Sequence, residues 1–315
     1  MSTEHRDFLI EVARLHHEYG LNQETIAKRF NVSRSTISRA LSEAESLGII
    51  EVTITEPAPR ELQLSQDIRE RCGIAAYTGM RLADETPMAA AARAAARHIE
   101  RIAAVGHLTL AASWGRTLAA AAHFVRPRRS SGLLIVDAVG HASGKELAPA
   151  IEVTRTLASA LGAEVIHLPS PAFADSVASL DFLLASPPVE HVLQLARSAD
   201  VTLVSVGVVG EDSLLRKEGL VAAEAMQELM ARGARGEILG HYFDAAGHAI
   251  EEPSLLPVGL SLGDLRAARR VIAVAGGAVK AEPVRAAIMG GIIDELVADD
   301  ELAEALLAAT RRPGT

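Results

Sequence analysis

Apolar residues near the start of the chain recur every third or fourth position, the period of an amphipathic helix. Phe8, Val12, Leu15 and Tyr19 share one helical face, and Gly20 stands where a helix C-cap is expected. Asn22 is placed to cap a second, short helix whose inner face carries Ile26 and Phe30. Asn31 to Ser33 reads as a tight turn, and Ser33 as the N-cap of a third helix from about Arg34 to Ser46. Gly48 ends that helix, and Ile49 to Thr55 alternates like a short strand. Three compact helices with a brief turn between the last two, then a strand, follow a helix-turn-helix, winged-helix-like plan.

The pattern then changes. Glu56 to Arg60 reads Glu-Pro-Ala-Pro-Arg, which continues neither a helix nor a central strand, so a boundary is expected there. It separates a module of residues 1–55 from a domain of residues 56–315. Glu61 to Arg71 is helical in pattern and suits a connector or a dimerising segment. From about Ala75, short apolar runs alternate with helical stretches. The strand candidates are Leu108–Ala112, Leu133–Val136, Glu164–Leu168, Val201–Val206, Val271–Ala275 and Glu295–Ala298. The helical ones include Met88–Ile102, Pro149–Leu161, Val189–Arg197, Ala222–Arg232, Pro283–Met289 and Glu301–Thr310. Such alternation predicts an α/β domain, doubly wound and Rossmann-like, with a mostly parallel sheet covered on both faces.

Composition narrows the classes. With 49% hydrophobic and 23% charged residues, the 315-residue chain has the make-up of a globular protein with a sizeable core. A formal net charge of −9 excludes a bulk nucleic-acid coat, but not DNA binding by a small part of the surface. Cys72 is the only cysteine, so an internal disulfide and a multi-cysteine metal site are both excluded. Glu4, Arg6 and Asp7 interrupt any signal-peptide pattern, and Arg93 breaks the alanine-rich stretch from Met88 to Ala96. No run reaches the ~20 apolar residues of a membrane helix, so a cytoplasmic location is expected. His16, His17 and His98 fall in helical stretches without the partners of a metal site, and neither metal nor cofactor is expected.

On the third helix, Ile37, Ala40, Leu41, Ala44 and Leu47 gather on the inner side, and Ser35, Ser38, Arg39 and Ser42 on the other, with Arg34 at the edge. Thr25 to Ser42 contains no Asp or Glu but holds Lys28, Arg29, Arg34 and Arg39. Residues 1–54 nonetheless carry six Lys/Arg against eight Asp/Glu, so the positive charge is local. Hydroxyls and exposed N–H groups at a helix start suit phosphate oxygens, and an Arg on a recognition helix can read a guanine edge. Gln23, Thr25, Arg34, Ser35, Thr36, Ser38 and Arg39 are therefore the candidate DNA contacts. The competing reading is a solvated helix of an ordinary bundle.

In doubly wound folds ligands sit beyond the carboxyl ends of the strands. Ser113-Trp114-Gly115-Arg116-Thr117 follows the first candidate strand and feeds a helix, as a phosphate cradle would. A glycine-rich polar loop from Asp137 to Lys145 follows the second, Gly207 to Ser213 the fourth, and Gly276-Gly277-Ala278-Val279-Lys280 the fifth. One such loop usually makes only a turn. Four of them with hydroxyls and a lysine point to a binding site. Trp114 reads as a core or interface anchor.

These motifs together resemble those of the SorC-type (SorC/DeoR) sugar-responsive transcription regulators across nearly the whole chain. The carrying runs are Val12–Leu15, Gly20–Ala27, Val32–Leu41 and Gly48–Val52, then Ser113–Thr117, Gly236–Ile238, Phe243–Gly247 and Ala275–Ala281, in family order. The resemblance implies a large domain folded like glucosamine-6-phosphate deaminase and ribose-5-phosphate isomerase. It implies a sugar or phosphosugar effector, and a homodimer or homotetramer on palindromic double-stranded DNA operators. Ser113, Gly115, Arg116 and Thr117 would contact phosphate or sugar, Glu237 would accept from hydroxyls, and Lys280 would face phosphate, beside Gly207, Gly276 and Gly277. The loop Val139 to Gly144 departs from the family pattern, and His141 or Lys145 would replace an expected arginine. The alternative is an isomerase or deaminase with an N-terminal interaction module. Glu211 and Asp212 offer it acids, but the Asp-Gly-His run of the deaminases is absent, which favours a regulator without catalysis.

Overall fold

The structure, a computed structural model, describes residues 3–17, 19–50, 58–127, 132–142 and 150–310. Glu51 to Thr55 of the strand-like run, Glu56 and Pro57 of the boundary segment, Ser143 to Lys145 and Pro149 lie outside the described residues. The chain divides into two compact units, Met1–Glu56 and Pro57–Thr315.

In the first unit, helices α1 (Thr3–His17), α2 (Gln23–Phe30) and α3 (Arg34–Ser46) enclose a core of Leu9, Val12, Leu15, Ile26, Ile37, Ala40, Leu41 and Ala44. Phe8 and Phe30 close one side edge to face, with ring centroids 5.2 Å apart. Local chemistry sets each boundary. Gly20 at φ 68° lets the Leu21 amide return to the Leu15 carbonyl at 3.0 Å. Asn22 accepts from the Thr25 amide at 2.8 Å, and Ser33 from the Thr36 amide at 3.1 Å. Asn31, left-handed at φ 53°, makes the turn between α2 and α3.

Three expectations need correction. Tyr19 lies beyond α1 and is 70% exposed, so it packs into no core. Leu47 caps α3 and is 46% exposed, because the helical repeat that would turn it inward has ended. Ile49 and Ile50 both donate to the Ala44 carbonyl, at 2.8 and 3.2 Å, so the described start of the strand-like run is a helix-ending turn.

The second unit begins with α4 (Pro59–Cys72), β1 (Ala75–Gly79), α5 (Pro87–Ala103), β2 (Thr109–Ala112), α6 (Arg116–Phe124), β3 (Leu134–Asp137), α7 (Ala150–Leu161) and β4 (Glu164–Ile166). It continues through β5 (Phe173–Ala174), α8 (Val177–Ala185), α9 (Pro187–Arg197), β6 (Val201–Ser205), α10 (Leu214–Lys217) and α11 (Ala223–Ala231). Then come β7 (Gly236–Ile238), β8 (His241–Phe243), β9 (Ala249–Ile250), β10 (Leu256–Pro257), α12 (Leu262–Ala267), β11 (Val271–Ala275), α13 (Ala281–Met289), β12 (Glu295–Asp299) and α14 (Asp300–Ala309).

Seven strands form one parallel sheet in the order β1-β12-β11-β6-β2-β3-β4. Val-Ile-Ala-Val-Ala of β11 is buried at every position, the signature of a strand covered on both faces. Successive residues serve opposite cores. Leu203, Ile272 and Val297 join the cluster under α5, α6 and α7, whereas Val204, Ala273 and Leu296 join the one under α4, α9, α13 and α14. The chain steps outward through β2, β3 and β4, then returns to place β6 on the other side of β2. In doubly wound sheets such a reversal marks the ligand crevice, here beyond the carboxyl ends of β2 and β6. Short strands β7, β8 and β9 form a separate antiparallel sheet, and β5 pairs with β10.

Candidate effector site and nucleic-acid interface

The crevice is floored by the start of α6. Gly115 is its N-cap at φ 138°, with no side-chain cap, so the N–H groups of the first turn stay available to an anion. A Cβ on Gly115 would stand 2.5 Å from Ser205 Oγ, which explains glycine there. Arg116 is exposed, while Ser113 and Thr117 are buried. Ser113 donates its hydroxyl to the Trp114 carbonyl at 2.9 Å and its amide to the Leu203 carbonyl at 3.0 Å, so it shapes the loop. Trp114 is buried against Phe173, ring centroids 5.5 Å apart, as an anchor.

Across the crevice, Gly207 and Glu237 exchange backbone hydrogen bonds of 2.8 and 3.1 Å. A Cβ on Gly207 would lie 2.3 Å from Glu237 Oε2, so only glycine lets the carboxylate rest there. The Gly240 amide donates to the other oxygen. Burial raises the Glu237 carboxyl to about 7, against the pull of the Gly240 amide and the Lys280 ammonium. Lys280 ends a 3₁₀ turn after β11, and burial lowers its amine to about 8, helped by the Arg116 guanidinium and opposed by Glu237. Arg116, Glu237 and Lys280 thus share one electrostatic neighbourhood. Gly277, at φ 92°, donates its amide to Asp299 at 2.8 Å, and a Cβ on Gly276 would meet the Pro87 carbonyl at 2.6 Å. Both glycines set the path of the Lys280 loop.

His141 falls elsewhere. Its described contacts are with Asp137, 3.6 Å away, with the His167 ring at 6.1 Å, and with the Ser170 carbonyl. Asp137 and His167 were not among the candidate residues. The signal for Asp137 was its place at the start of a candidate loop, whereas His167, just past β4, fell inside the run read as a strand. Glu211 and Asp212 are exposed, and Asp212 pairs with Lys217 at 2.9 Å.

In the first unit, Arg34, Ser35, Ser38 and Arg39 are exposed on α3, and Thr36 is half-buried. Ser33 Oγ lies 2.7 Å from Ser35 Oγ and 2.8 Å from Thr36 Oγ1, gathering three hydroxyls at the helix start. Arg39 lies along the helix, donating Nε–H to the Ser35 carbonyl at 3.3 Å. On α2, Gln23 is half-buried and exposed Thr25 donates its hydroxyl to Asn22 at 2.9 Å, while Lys28 pairs with Glu24 at 3.1 Å. Among the described residues, no helix is long and apolar enough to cross a membrane.

Known proteins share this two-part organisation. Residues 56–308 match a family described as “Putative sugar-binding domain”, and residues 1–50 match a helix-turn-helix domain. The deoxyribonucleoside regulator of Bacillus subtilis is 27% identical, with 98% of this chain and 99% of that protein covered. The erythritol catabolism regulatory protein EryD of Brucella abortus is 26% identical, with 95% of each chain covered. The full-length sorbitol operon regulator SorC of Klebsiella pneumoniae superposes with a TM-score of 0.85 at 25% identity, over 98% of this chain and 100% of that one. The chain belongs to the SorC/DeoR-type family of sugar-binding transcription regulators.

Proposed function

We propose that residues 1–55 bind a DNA operator and that residues 56–315 govern that binding by holding a phosphorylated sugar at the carboxyl edge of the large sheet. The mutual electrostatic influence of Arg116, Lys280 and Glu237, which stand on loops at the carboxyl side of the sheet, carries this reading. Two cations within electrostatic reach of each other suit a dianion, and the first turn of α6 adds N–H donors. Glu237 then accepts from sugar hydroxyls, with Gly207, Gly276 and Gly277 allowing close approach. Doubly wound topology with a site at the reversal is shared with sugar-phosphate isomerases and deaminases, which supports kinship with them. The relatives are named as regulators, and Glu211 and Asp212, the acids weighed for an enzyme, are exposed, which supports binding without turnover.

On the DNA side, Arg34 and Arg39 read base edges, while Ser35, Thr36 and Ser38, with Gln23 and Thr25, position the backbone. A cytoplasmic homodimer or homotetramer presents paired recognition helices to a palindrome with half-sites about 34–36 Å apart or multiples of that. Effector binding alters how the large domains pair and so changes that spacing. Gel-shift titration with a panel of sugar phosphates tests the scheme: at least one should change operator affinity or oligomeric state. If none does, the scheme is wrong. Arg34→Ala and Arg39→Ala should each weaken operator binding about tenfold, in line with the loss of one base contact, and leave effector-induced thermal stabilisation intact.

A further inference from the structure

One buried carboxylate latches the start of α4 to the large sheet. Glu61, in the first turn of that helix, is only 7% exposed. One of its oxygens accepts from the Ala58 amide at 2.8 Å and caps the helix. The other accepts from the Met80 amide, just after β1, at 3.0 Å and from the Arg97 guanidinium of α5 at 3.3 Å. A helix cap needs only the first of these bonds. The other two cross to separate elements and compensate for taking the charge out of water. Ser65, one turn further on, accepts from the Thr78 amide of β1 at 3.0 Å. Arg60, beside Glu61, pairs with Glu304 of α14 at 2.7 Å.

The same two helices, α5 and α14, meet the Gly276–Lys280 loop at their N-terminal ends. Asp299, the N-cap of α14, accepts from the Gly277 amide at 2.8 Å as well as from the Glu301 and Leu302 amides. The start of α5 lies so close that a Cβ on Gly276 would stand 2.9 Å from Met88 Cα. Arg81, next to Met80, pairs with Asp300 at 3.0 Å and with Glu301 at 3.1 Å, both in the first turn of α14. Leu302, Ala303 and Leu306 of α14 share one buried cluster with Leu64 and Ile68 of α4. Packing this close transmits displacement.

We propose that α5 and α14 carry the position of the Gly276–Lys280 loop to the first turn of α4, where Glu61 is the positioning residue that sets how the linker leaves the large domain. This rests on the effector reading above and adds the route from ligand to linker. A ligand that draws Lys280 shifts the loop, and the Gly277 amide takes the cap of α14 with it. Arg81 and Arg60 pass the shift to Met80 and to the start of α4, and Glu61 holds the two together. The first unit, Met1–Glu56, precedes that turn directly in sequence.

Hydrogen–deuterium exchange of the full chain, read at residues 58–64 and 276–280 with and without saturating inorganic phosphate, tests this. In the wild type, phosphate should slow exchange about threefold or more in both segments. In Glu61→Ala the loop should still respond, while residues 58–64 exchange faster and ignore phosphate. A residue that merely capped the helix would raise that exchange yet leave the response in place. Gly277→Ala perturbs the loop without a ligand, because its φ of 92° strains any side chain. It should speed exchange at residues 58–64 about threefold alone, and add nothing when combined with Glu61→Ala. If Gly277→Ala does not fold, Glu301→Ala, at a partly exposed position, takes its place with the same expectation. An unchanged α4 in the loop variant, effects that multiply in the double variant, or a wild type whose loop responds to phosphate while α4 does not, each overturns the route. A phosphate response at residues 58–64 that survives in Glu61→Ala overturns the role of Glu61. If phosphate leaves the loop itself untouched, the effector reading fails, and the ligand-free variants still decide the route.

Discussion

Glu237 lies over Gly207 in a place where a carboxylate is hard to ionise, and that has a measurable cost in the ligand-free protein. Its folded value of about 7 is raised above the usual 4.5, so the fold favours the protonated form. The associated stability is complete below the unfolded value and is lost as pH rises through 7. The thermal midpoint of the ligand-free protein should therefore fall between pH 5 and 8, and Glu237→Gln should flatten that slope in a pH series of melts. Lys280 acts in another window. Its amine is lowered from 10.5 to about 8, so it loses charge as pH rises through 8, and affinity for inorganic phosphate should drop across pH 7 to 9. Gly207→Ala would press a methyl against the Glu237 carboxylate. It should cost about 1–3 kcal/mol of stability, the usual penalty of overpacking, and weaken sugar-phosphate binding at least tenfold by calorimetry. Much of this site could be read in advance, because glycines, a lysine and hydroxyls after strands carry their chemistry openly. The surroundings of His141 could not. Asp137 and His167 are far apart in sequence, and their meeting depends on β3 and β4 being neighbours.

Among elements, the helices of the first unit show how far local signals reach. Asn22, Ser33 and Gly20 mark boundaries in sequence, and the caps form at those residues. Ser33→Ala removes an acceptor for the Thr36 amide and should destabilise the module by ~1 kcal/mol. Circular dichroism melts and operator affinity would both register it. The long buried strands were equally legible, since β6, β11 and β12 are apolar runs flanked by turn residues. Elements with weak local signatures were not. β1, Ala-Ala-Tyr-Thr-Gly at the sheet edge, has no apolar run, and β7 and β8 are three residues each, created by pairing with one another. Leu47 failed for a related reason: helical periodicity says which face a residue takes, but not where the helix stops.

For the whole molecule, the decisive fact is a net charge of −9, with most cations of the first module gathered from Lys28 to Arg39. One module offers few phosphate contacts, and Lys28 is partly spent on Glu24. A slope of about −3 in log affinity against log salt is expected per engaged module, from about three released counterions each. Two modules on one operator should give about −6. A measured slope near −3 would mean that a single module carries the binding.

Pairing of β1 with β12 joins Ala75 to Glu295, so the first strand of the sheet waits for the last. During synthesis the three-helix unit has left the ribosome and can fold long before that edge closes, since domains fold as units, N-terminal first. The sheet is built from long-range parallel pairs, which form slowly because loop closure precedes any gain. A nascent chain therefore carries a finished DNA reader attached to an unfinished sensor.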